Sequence, residues 1–371
     1  MSRRDPSTLI ATVLANGRCF VQKIGRTATV RTRQNVDSVD FEAAMEDVGL
    51  AIRRMIVAGQ DWADRGHDER QRTLDRLRDA GFDLLTTIAH EDNRVGFVEA
   101  LRNTRYMQVA GERNIPWEFL YLGSRDKPAS LENFFGAQAV VGHPIDRQDV
   151  PKLGAANSLR QDSVFARRPA GQPLISGLAE DLTLDSAKSA AEAAVLTNRG
   201  LAPIRLGPLH PPRRAALDTF GSFLNEATDL VHFNCHAIAG SRVRPSAISV
   251  TDSFTINETE IADLSIEIDA VVVLNCCHGI ALRRDTRDTV ATAFAGRGVR
   301  AVVGPTNEVA DDYATVWADH FYGAFLSGQP VGAAILSARQ ALFTAPGANP
   351  MALLYAFVGE YDASLEEERA A

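Results

Sequence analysis

Two segments determine the fold of this chain: residues 229–237, Asp-Leu-Val-His-Phe-Asn-Cys-His-Ala, and residues 269–279, Asp-Ala-Val-Val-Val-Leu-Asn-Cys-Cys-His-Gly. Each is a short apolar run, rich in β-branched residues, that stops abruptly in polar and reactive residues. A buried parallel strand has this pattern, and it delivers the side chains that follow it to the carboxyl edge of a sheet. The sequence therefore predicts two such strands, one ending in a histidine and the other in a cysteine.

The composition is that of a globular protein. The 371 residues are 45% hydrophobic and 23% charged, which is enough for a sizeable core. The net charge is -8, from 39 Lys and Arg against 47 Asp and Glu, and no basic run is present, so we expect no direct contact with nucleic acid. No apolar run spans a bilayer and no signal peptide is visible, so we expect a soluble, cytoplasmic protein without membrane contact.

The four cysteines stand at positions 19, 235, 276 and 277. The adjacent pair suits neither a disulfide framework nor the C-x-x-C spacing of a zinc site. We therefore expect reduced thiols, no metal and no cofactor.

Periodicity divides the chain into parts. Residues 7–33 contain alternating stretches around Asn16-Gly17 and predict a small β-ribbon. Two amphipathic helices follow, and a strand-like element is predicted at 114–121. Beyond a polar segment at 143–172, strands and helices alternate, which predicts an α/β fold with a mainly parallel sheet flanked by helices. The predicted strands lie near 173–178, 203–206, 229–235, 270–275, 299–304 and 353–358, and the predicted helices at 186–198, 213–226, 258–263, 287–296, 311–326 and 331–344.

The two strand ends carry the chemistry of a hydrolase. Peptide bond cleavage needs a nucleophile, a base for its proton and donors for the oxyanion. Cys277 could be the nucleophile and His236 the base that converts its thiol to thiolate. The backbone N–H groups of Ala237 and Cys277 would form the oxyanion hole. Spacing alone leaves open that Cys277 is an inert buried thiol, since buried cysteines are common.

These residues also carry a family resemblance. The segments at 235–237 and 274–279 resemble the catalytic His and Cys motifs of caspase-like cysteine peptidases, and most of all those of the CHAT family. Ile115-Pro-Trp-Glu-Phe-Leu-Tyr121 is similar to the Pro-Trp-Glu element of that family, and the similarity runs in order through about residues 40–360. The resemblance implies a caspase-like fold. It divides the chain into an N-terminal β-ribbon at 1–36, a non-catalytic N-terminal part of the CHAT domain at 37–142, an exposed loop or linker at 143–172, a catalytic part at 173–362 and an acidic tail at 363–371.

Three departures from the family pattern matter. Ala237 stands where Gly is usual, which preserves the oxyanion N–H unless the backbone there needs a positive φ. Asn307 stands where Trp is typical, which affects the wall of the substrate cleft. No tetratricopeptide repeats are present, so we expect a stand-alone form whose recognition module is a separate chain.

The resemblance implies a cysteine endopeptidase that cleaves a specific protein. It also implies activation by a protein partner or by processing, in prokaryotic defence or regulated proteolysis. Asn275 and Asp311 are the candidate substrate-binding residues. The acidic side chain of Asp311 favours a substrate with a basic P1 residue. Asp311 could instead cap the helix at 311–326. A catalytically silent scaffold or protein-interaction module is the alternative function.

Other roles for the polar residues are simpler. Cys235, His236, Cys277 and His278 have the donor atoms for zinc, but alternation along a strand argues against four convergent ligands. By the same alternation Cys235 and Cys276 are predicted to be core. We also expect His232 to be a hydrogen-bonded core residue, and Trp117 and Glu118 to be structural.

Overall fold

The computed structural model consists of two compact units, Met1–His143 with Ala338–Leu354 and Pro144–Ser337 with Tyr355–Ala371. The described residues are 7–13, 18–24, 31–35, 39–89, 94–111, 115–143, 174–181, 183–184, 186–240, 244–251, 254–265, 268, 270–280, 289–345 and 348–365. All but the first residue of the predicted exposed segment 143–172, and the acidic tail beyond residue 365, lie outside them.

The first unit combines a sheet with helices. Its described strands are β1 (Ser7–Val13), β2 (Arg18–Ile24), β3 (Arg31–Asn35), β4 (Thr104–Gly111) and β5 (Val140–His143), in the sheet order β3-β2-β1-β4-β5. Its described helices are α1 (Val39–Gln60), α2 (His67–Ile88), α3 (Arg94–Arg102) and α4 (Phe135–Gln138). β1 pairs antiparallel with β2 and parallel with β4, so the predicted ribbon is joined to a larger sheet.

The apolar stripes predicted for α1 and α2 are buried. Met45, Val48 and Met55 lie on one face of α1, and Leu77 and Leu84 on one face of α2. These side chains lie three or seven residues apart, which is about one or two helical turns, and that spacing gives each helix a single apolar side to bury. Both helices are therefore core elements, as predicted.

The prediction of a strand-like element at 114–121 is wrong. Trp117–Phe119 forms a single 3-10 turn that follows Pro116. Every residue of this turn is buried, including Glu118, so the segment has no solvent face against which apolar and polar residues could alternate. The acid among these apolar residues, Glu118, lies beside Arg339, whose Nη2 is 3.8 Å from Oε1.

The second unit is built on a mainly parallel sheet, which confirms the predicted fold class. Its described strands are β6 (Ser176–Glu180), β7 (Ile204–Arg205), β8 (Leu230–Asn234), β9 (His236–Ile238), β10 (Ala247–Thr251), β11 (Phe254–Asn257), β12 (Val271–Leu274), β13 (Ala301–Pro305) and β14 (Tyr355–Gly359). Its main sheet has the order β14-β13-β12-β8-β6-β7, and all neighbours run parallel except β13 and β14. β9, β10 and β11 form a small separate antiparallel sheet.

Helices connect these strands. The described ones are α5 (Ser186–Asn198), α6 (Arg213–Glu226), α7 (Glu258–Ala262), α8 (Val290–Ala295), α9 (Asp311–Phe325) and α10 (Val331–Thr344). Every residue of β8 and β12 is buried, as expected for central parallel strands covered on both faces. Among the described residues, no helix has the length and apolar character needed to cross a membrane.

Candidate active site

The two strand ends singled out in the sequence lie side by side. β8 and β12 are in register from Leu230 opposite Val271 to Phe233 opposite Leu274, and the Asn275 N–H extends this pairing by donating to the Phe233 carbonyl at 3.0 Å. The chain therefore leaves both strands at the same carboxyl edge. The structure brings His236 and Cys277 to one cleft at this edge, and we refer to it as the strand-end cleft.

A tight turn carries Cys277. The Gly279 N–H donates to the Cys276 carbonyl at 2.9 Å, and His278 between them has φ 59°, which is unusual for a residue with a side chain. A Cβ on Gly279 would lie 2.5 Å from the Leu274 carbonyl oxygen, so only glycine fits there. Strained backbone of this kind concentrates at functional sites.

The resting state of Cys277 is a thiol. Its side chain is partly buried, and its Sγ lies 3.8 Å from the Val309 carbonyl oxygen, to which it donates. Burial raises the pKa of this thiol, the backbone of Val309 opposes that rise, and the neighbouring Cys276, Glu308 and Asp311 add to it. The Cys277 N–H forms no hydrogen bond with any described residue, so it can serve as an oxyanion donor.

His236 begins β9 and is exposed. It stands directly opposite Ser249 of β10, and directly opposed residues of an antiparallel pair project to the same face. The next residue, Ala237, pairs with Ile248 and does not have a positive φ. Alanine is thus compatible with the backbone at the position where the family usually has glycine.

A buried carboxylate lies beside His236. Asp181 directly follows β6, is 0% exposed, and its N–H donates to the Asn234 carbonyl at 2.9 Å. Its Oδ1 accepts from the Thr183 N–H at 3.0 Å and from the Thr183 hydroxyl at 2.7 Å. Its side chain also bonds that of Ser249, which shares a face with His236.

The second carboxylate oxygen of Asp181, Oδ2, is buried and accepts no hydrogen bond from any described residue. Burial raises the pKa of Asp181, but the hydrogen bonds from Thr183 and Ser249 and the nearby His236 outweigh burial, so the net pKa is lowered. Asp181 is therefore an ionised group held next to the candidate base.

A second buried acid lines the strand-end cleft. Glu192 of α5 is 4% exposed, and its Oε1 accepts from His232 Nε2 at 2.7 Å and from Asn275 Nδ2 at 2.5 Å. The other His232 nitrogen bonds the Tyr322 hydroxyl at 2.7 Å, and the Tyr355 hydroxyl donates to Asn275 Oδ1 at 2.8 Å. The expectation that His232 is a hydrogen-bonded core residue is confirmed, and this network fixes Glu192 at the base of the cleft.

The two predicted substrate-binding residues differ in their surroundings. Asn275 lines the cleft, but its amide is committed to Glu192, Tyr355 and the Ala314 carbonyl at 3.2 Å. Asp311 is exposed and also lines the cleft. The N-cap of α9 is Ala310, so Asp311 is the first helical residue and not the cap.

The remaining polar residues of the two strand ends differ in their burial and in their contacts. Cys235 and Cys276 are each 4% exposed and part of the core, as predicted, and the hydrogen bond between Cys235 and Cys276 together with burial raises the pKa of Cys235 well above its usual range. His278 Nε2 lies 3.8 Å from Glu308, and the Asn307 carbonyl accepts the His278 N–H at 3.2 Å. Within the described part of the chain, no group of three or more His, Cys, Asp or Glu side chains is arranged to hold a metal ion.

Sequence reasoning missed Asp181 and Glu192. Asp181 could have been found by the rule that found His236 and Cys277, because it is the polar residue that ends the neighbouring strand. Glu192 is the single acid in the alanine-rich α5, and such a position in a helix is usually exposed to solvent. Only its tertiary partners show that it faces inward.

Residues 111–362 match the sequence profile described as the CHAT domain. The fold is similar to two structures of the Saccharomyces cerevisiae separase-securin complex, with TM-scores of 0.54 and 0.55, at 9% sequence identity and with 95% of this chain covered. The match spans 30% of the chain in those complexes. A structure of the Arg specific cysteine proteinase gingipain R is also similar, with a TM-score of 0.47, 10% identity, and 99% of this chain and 79% of that one covered. No curated protein matches the sequence.

Proposed function

Because the chain belongs to the CHAT domain family and has the caspase-like cysteine peptidase fold, we propose that it is a cysteine endopeptidase with Cys277 as nucleophile and His236 as base. The observation that carries this proposal is the strand-end cleft, where His236 follows β8 and Cys277 follows β12, the two strands being parallel and in register. The free N–H of Cys277, next to its own thiol, supports an oxyanion role for it, together with the N–H of Ala237.

The reaction follows from these roles. His236 removes the proton from the Cys277 thiol as sulfur attacks the peptide carbonyl, and the two N–H groups stabilise the oxyanion. The C–N bond then breaks, and protonated His236 delivers its proton to the leaving amine. Water, deprotonated by His236, attacks the thioester and releases the new carboxyl end with the thiol restored. No step needs a metal or cofactor.

Asp181 is proposed to position His236. A carboxylate beside a catalytic imidazole selects its orientation and stabilises the imidazolium that forms during attack. Asp181 meets the requirements because it is ionised, is held by Thr183 and Ser249, and keeps Oδ2 uncommitted among the described residues. It acts through His236 and touches no reacting atom.

Glu192 is proposed to select the substrate, together with Asp311. Both acids line the cleft, and a buried carboxylate at its base favours a positively charged side chain that can pair with it. Oε1 of Glu192 is used by His232 and Asn275, which leaves Oε2 for the substrate. The cleft therefore supports a preference for Arg or Lys at P1, and its neutral Asn275 serves to hold Glu192.

The resting protein is proposed to be latent and to be activated by a protein partner or by processing, as in a prokaryotic defence or regulated-proteolysis pathway. The thiol of Cys277 donates to the Val309 carbonyl, and burial and three neighbouring groups disfavour its thiolate. A change in the segment around Val309 would release the sulfur. The similar yeast chain was solved in complex with securin, which agrees with control by a protein partner. Maximal turnover in freshly purified protein would contradict latency.

Substitution of the dyad is the decisive test. We expect Cys277→Ala and His236→Ala each to lower kcat/KM on a peptide library by about 10³-fold or more, because nucleophile and base act as a unit. Cys276→Ala is the matched control and should stay within a few fold of the parent. The assay is run before and after limited proteolysis so that latency does not hide turnover.

The outcomes separate the two candidate functions. Loss of activity in Cys276→Ala with activity kept in Cys277→Ala would move the nucleophile to Cys276. A folded protein that cleaves no peptide before or after proteolysis, and whose Cys277 reacts with iodoacetamide no faster than an ordinary thiol, would instead be a silent scaffold.

A further inference from the structure

Five arginines converge on a groove between α1 and α2 in the first unit. The groove has a volume of about 490 Å³. Two of these arginines lie on α1, one on the connection between the helices, and two on α2. They are Arg53, Arg54, Arg65, Arg72 and Arg76.

The arginines of this groove are scattered in the sequence, and the fold brings them together. Arg72 and Arg76 are four positions apart and so lie on one side of α2, and Arg65 lies on the connection just before that helix. Between these arginines in the sequence stand Asp68 and Asp75, which do not line the groove, and Glu69, which does. The absence of a basic run is therefore compatible with a basic groove in a chain of net charge -8.

Most of this positive charge is uncompensated. Arg65 pairs with Glu69 and lies 3.7 Å from Asp61, and Arg72 Nε donates to the Asp68 carbonyl at 3.1 Å. Arg53, Arg54 and Arg76 make no hydrogen bond or ion pair with any described residue. Among the described residues that line the groove, Glu69 supplies the one carboxylate.

We propose that the groove binds an acidic segment of a partner protein. Guanidinium groups pair bidentately with carboxylates, and several arginines around one groove repel each other until an anion enters. Val57, which lines the groove and is 62% exposed, offers an apolar contact beside the charges. The occupant is thus a short segment that combines Asp or Glu with an apolar side chain.

The lining favours a peptide over a nucleic acid. Single-stranded nucleic acids bind where basic residues alternate with aromatic rings that stack on bases. The described residues that line this groove include no aromatic side chain. The groove volume suits a short peptide segment, whereas a longer polyanion would meet the acids that dominate the rest of the chain.

The test is fluorescence anisotropy with a labelled octapeptide of alternating Glu and Leu, and with the same peptide carrying Gln for Glu. We expect the full-length protein to bind the acidic peptide at least about tenfold more tightly, and added salt to weaken that binding. Arg54→Glu with Arg76→Glu should weaken it by about tenfold or more, since two charges are reversed. Arg70→Glu changes the charge of α2 outside the groove and should have less than about a twofold effect.

Each result decides the proposal. Equal affinity for the two peptides, or an equal loss in Arg70→Glu and in the groove variant, would overturn it. Tighter binding of a single-stranded octanucleotide than of the acidic peptide would assign the groove to nucleic acid. Arg54→Gln with Arg76→Gln, checked by circular dichroism, repeats the test if charge reversal unfolds the protein. The result does not depend on peptidase activity, because Cys277→Ala should bind the acidic peptide as the parent does.

Discussion

Each of the two units buries an acidic side chain, but the pKa of one is raised and the pKa of the other is lowered. In the first unit, Glu118 is 6% exposed, and burial raises its pKa to about 7 although Arg339 opposes that rise. In the second unit, burial also raises the pKa of Asp181, but hydrogen bonds from Thr183 and Ser249 outweigh it and the net shift is downward. Both side chains are almost inaccessible to solvent, but Asp181 lies nearer the surface of the protein, and there the neighbouring donors outweigh the smaller effect of burial on the pKa.

This difference separates a structural acid from a functional one. Glu118 faces one guanidinium at 3.8 Å, and its Oε1 accepts no hydrogen bond within the described part of the chain. Asp181 and Glu192 are held by short hydrogen bonds from neutral groups and lie at the carboxyl edge of the parallel sheet. A charge held in this way remains available to a second partner, which in our proposal is His236 or the substrate.

Asp181→Asn tests the positioning role and should have the largest effect. We expect kcat to fall by about 10³-fold, because the amide can neither stabilise the imidazolium nor hold the same imidazole orientation. The acid limb of the kcat/KM profile should move to lower pH, since loss of the anion disfavours protonated His236. A merely structural role would leave this limb in place.

The matched control for Asp181 is Thr183→Val. It removes one donor to the same carboxylate while it keeps the negative charge. Activity within about tenfold of the parent is expected for this variant, since one hydrogen bond contributes about 1 kcal/mol. A folded Asp181→Asn protein with unchanged kcat and an unchanged pH profile would remove Asp181 from the mechanism.

Glu118→Gln tests the structural acid through stability. The pKa is raised in the folded protein, so between pH 4.5 and about 7 the unfolded chain loses its proton while the folded protein keeps it. The contribution of Glu118 to the free energy of unfolding should therefore be most favourable below pH 4.5 and fall by about 3 kcal/mol as the pH rises through 7. Glu118→Gln should remove that part of the pH dependence in urea unfolding.

The exposed Glu132 of the same unit provides the control for Glu118. Glu132→Gln should leave the pH dependence of stability as in the parent, because this side chain stays in water in both states. If Glu118→Gln keeps the parental slope between pH 5 and 7, then Glu118 is ionised in the folded protein and the contrast between the two units fails.

The strand ends were the most predictable part of the molecule. Uniformly apolar runs such as Val271–Leu274 predict strands covered on both faces, and that rule placed β8 and β12 correctly. The helices α6 and α10 also begin and end where periodicity indicated. Residues 114–121 were misread because a short apolar run also suits a buried 3-10 turn, and the partner of its one acid, Arg339, is distant in the sequence.

The positions of Asp181 and Glu192 in the site cannot be predicted from any single segment of the sequence. Asp181 lies more than fifty positions before His236, and Ser249 links them only because β9 folds back on β10. Glu192 acquires its partners from β8 and from the turn after β12, which lie 40 and 83 positions further along the chain. Local periodicity therefore predicts the elements that carry the dyad, while the groups that tune it follow from sheet order.

Glu192→Gln tests the proposed P1 pocket and should have the smallest effect of the three acids. The amide oxygen can still accept from His232 and Asn275, so the fold should be kept while the negative charge is lost. We expect kcat/KM for peptides with Arg at P1 to fall by about tenfold, and that for peptides with neutral P1 residues to stay the same. Asp311→Asn removes the other acid of the cleft and should have the weaker effect, because Asp311 is exposed and its charge is screened by water. A parent enzyme that prefers Asp or a large apolar residue at P1 would disprove the acidic pocket, and a larger loss in Asp311→Asn than in Glu192→Gln would assign the selection of P1 to the entrance of α9.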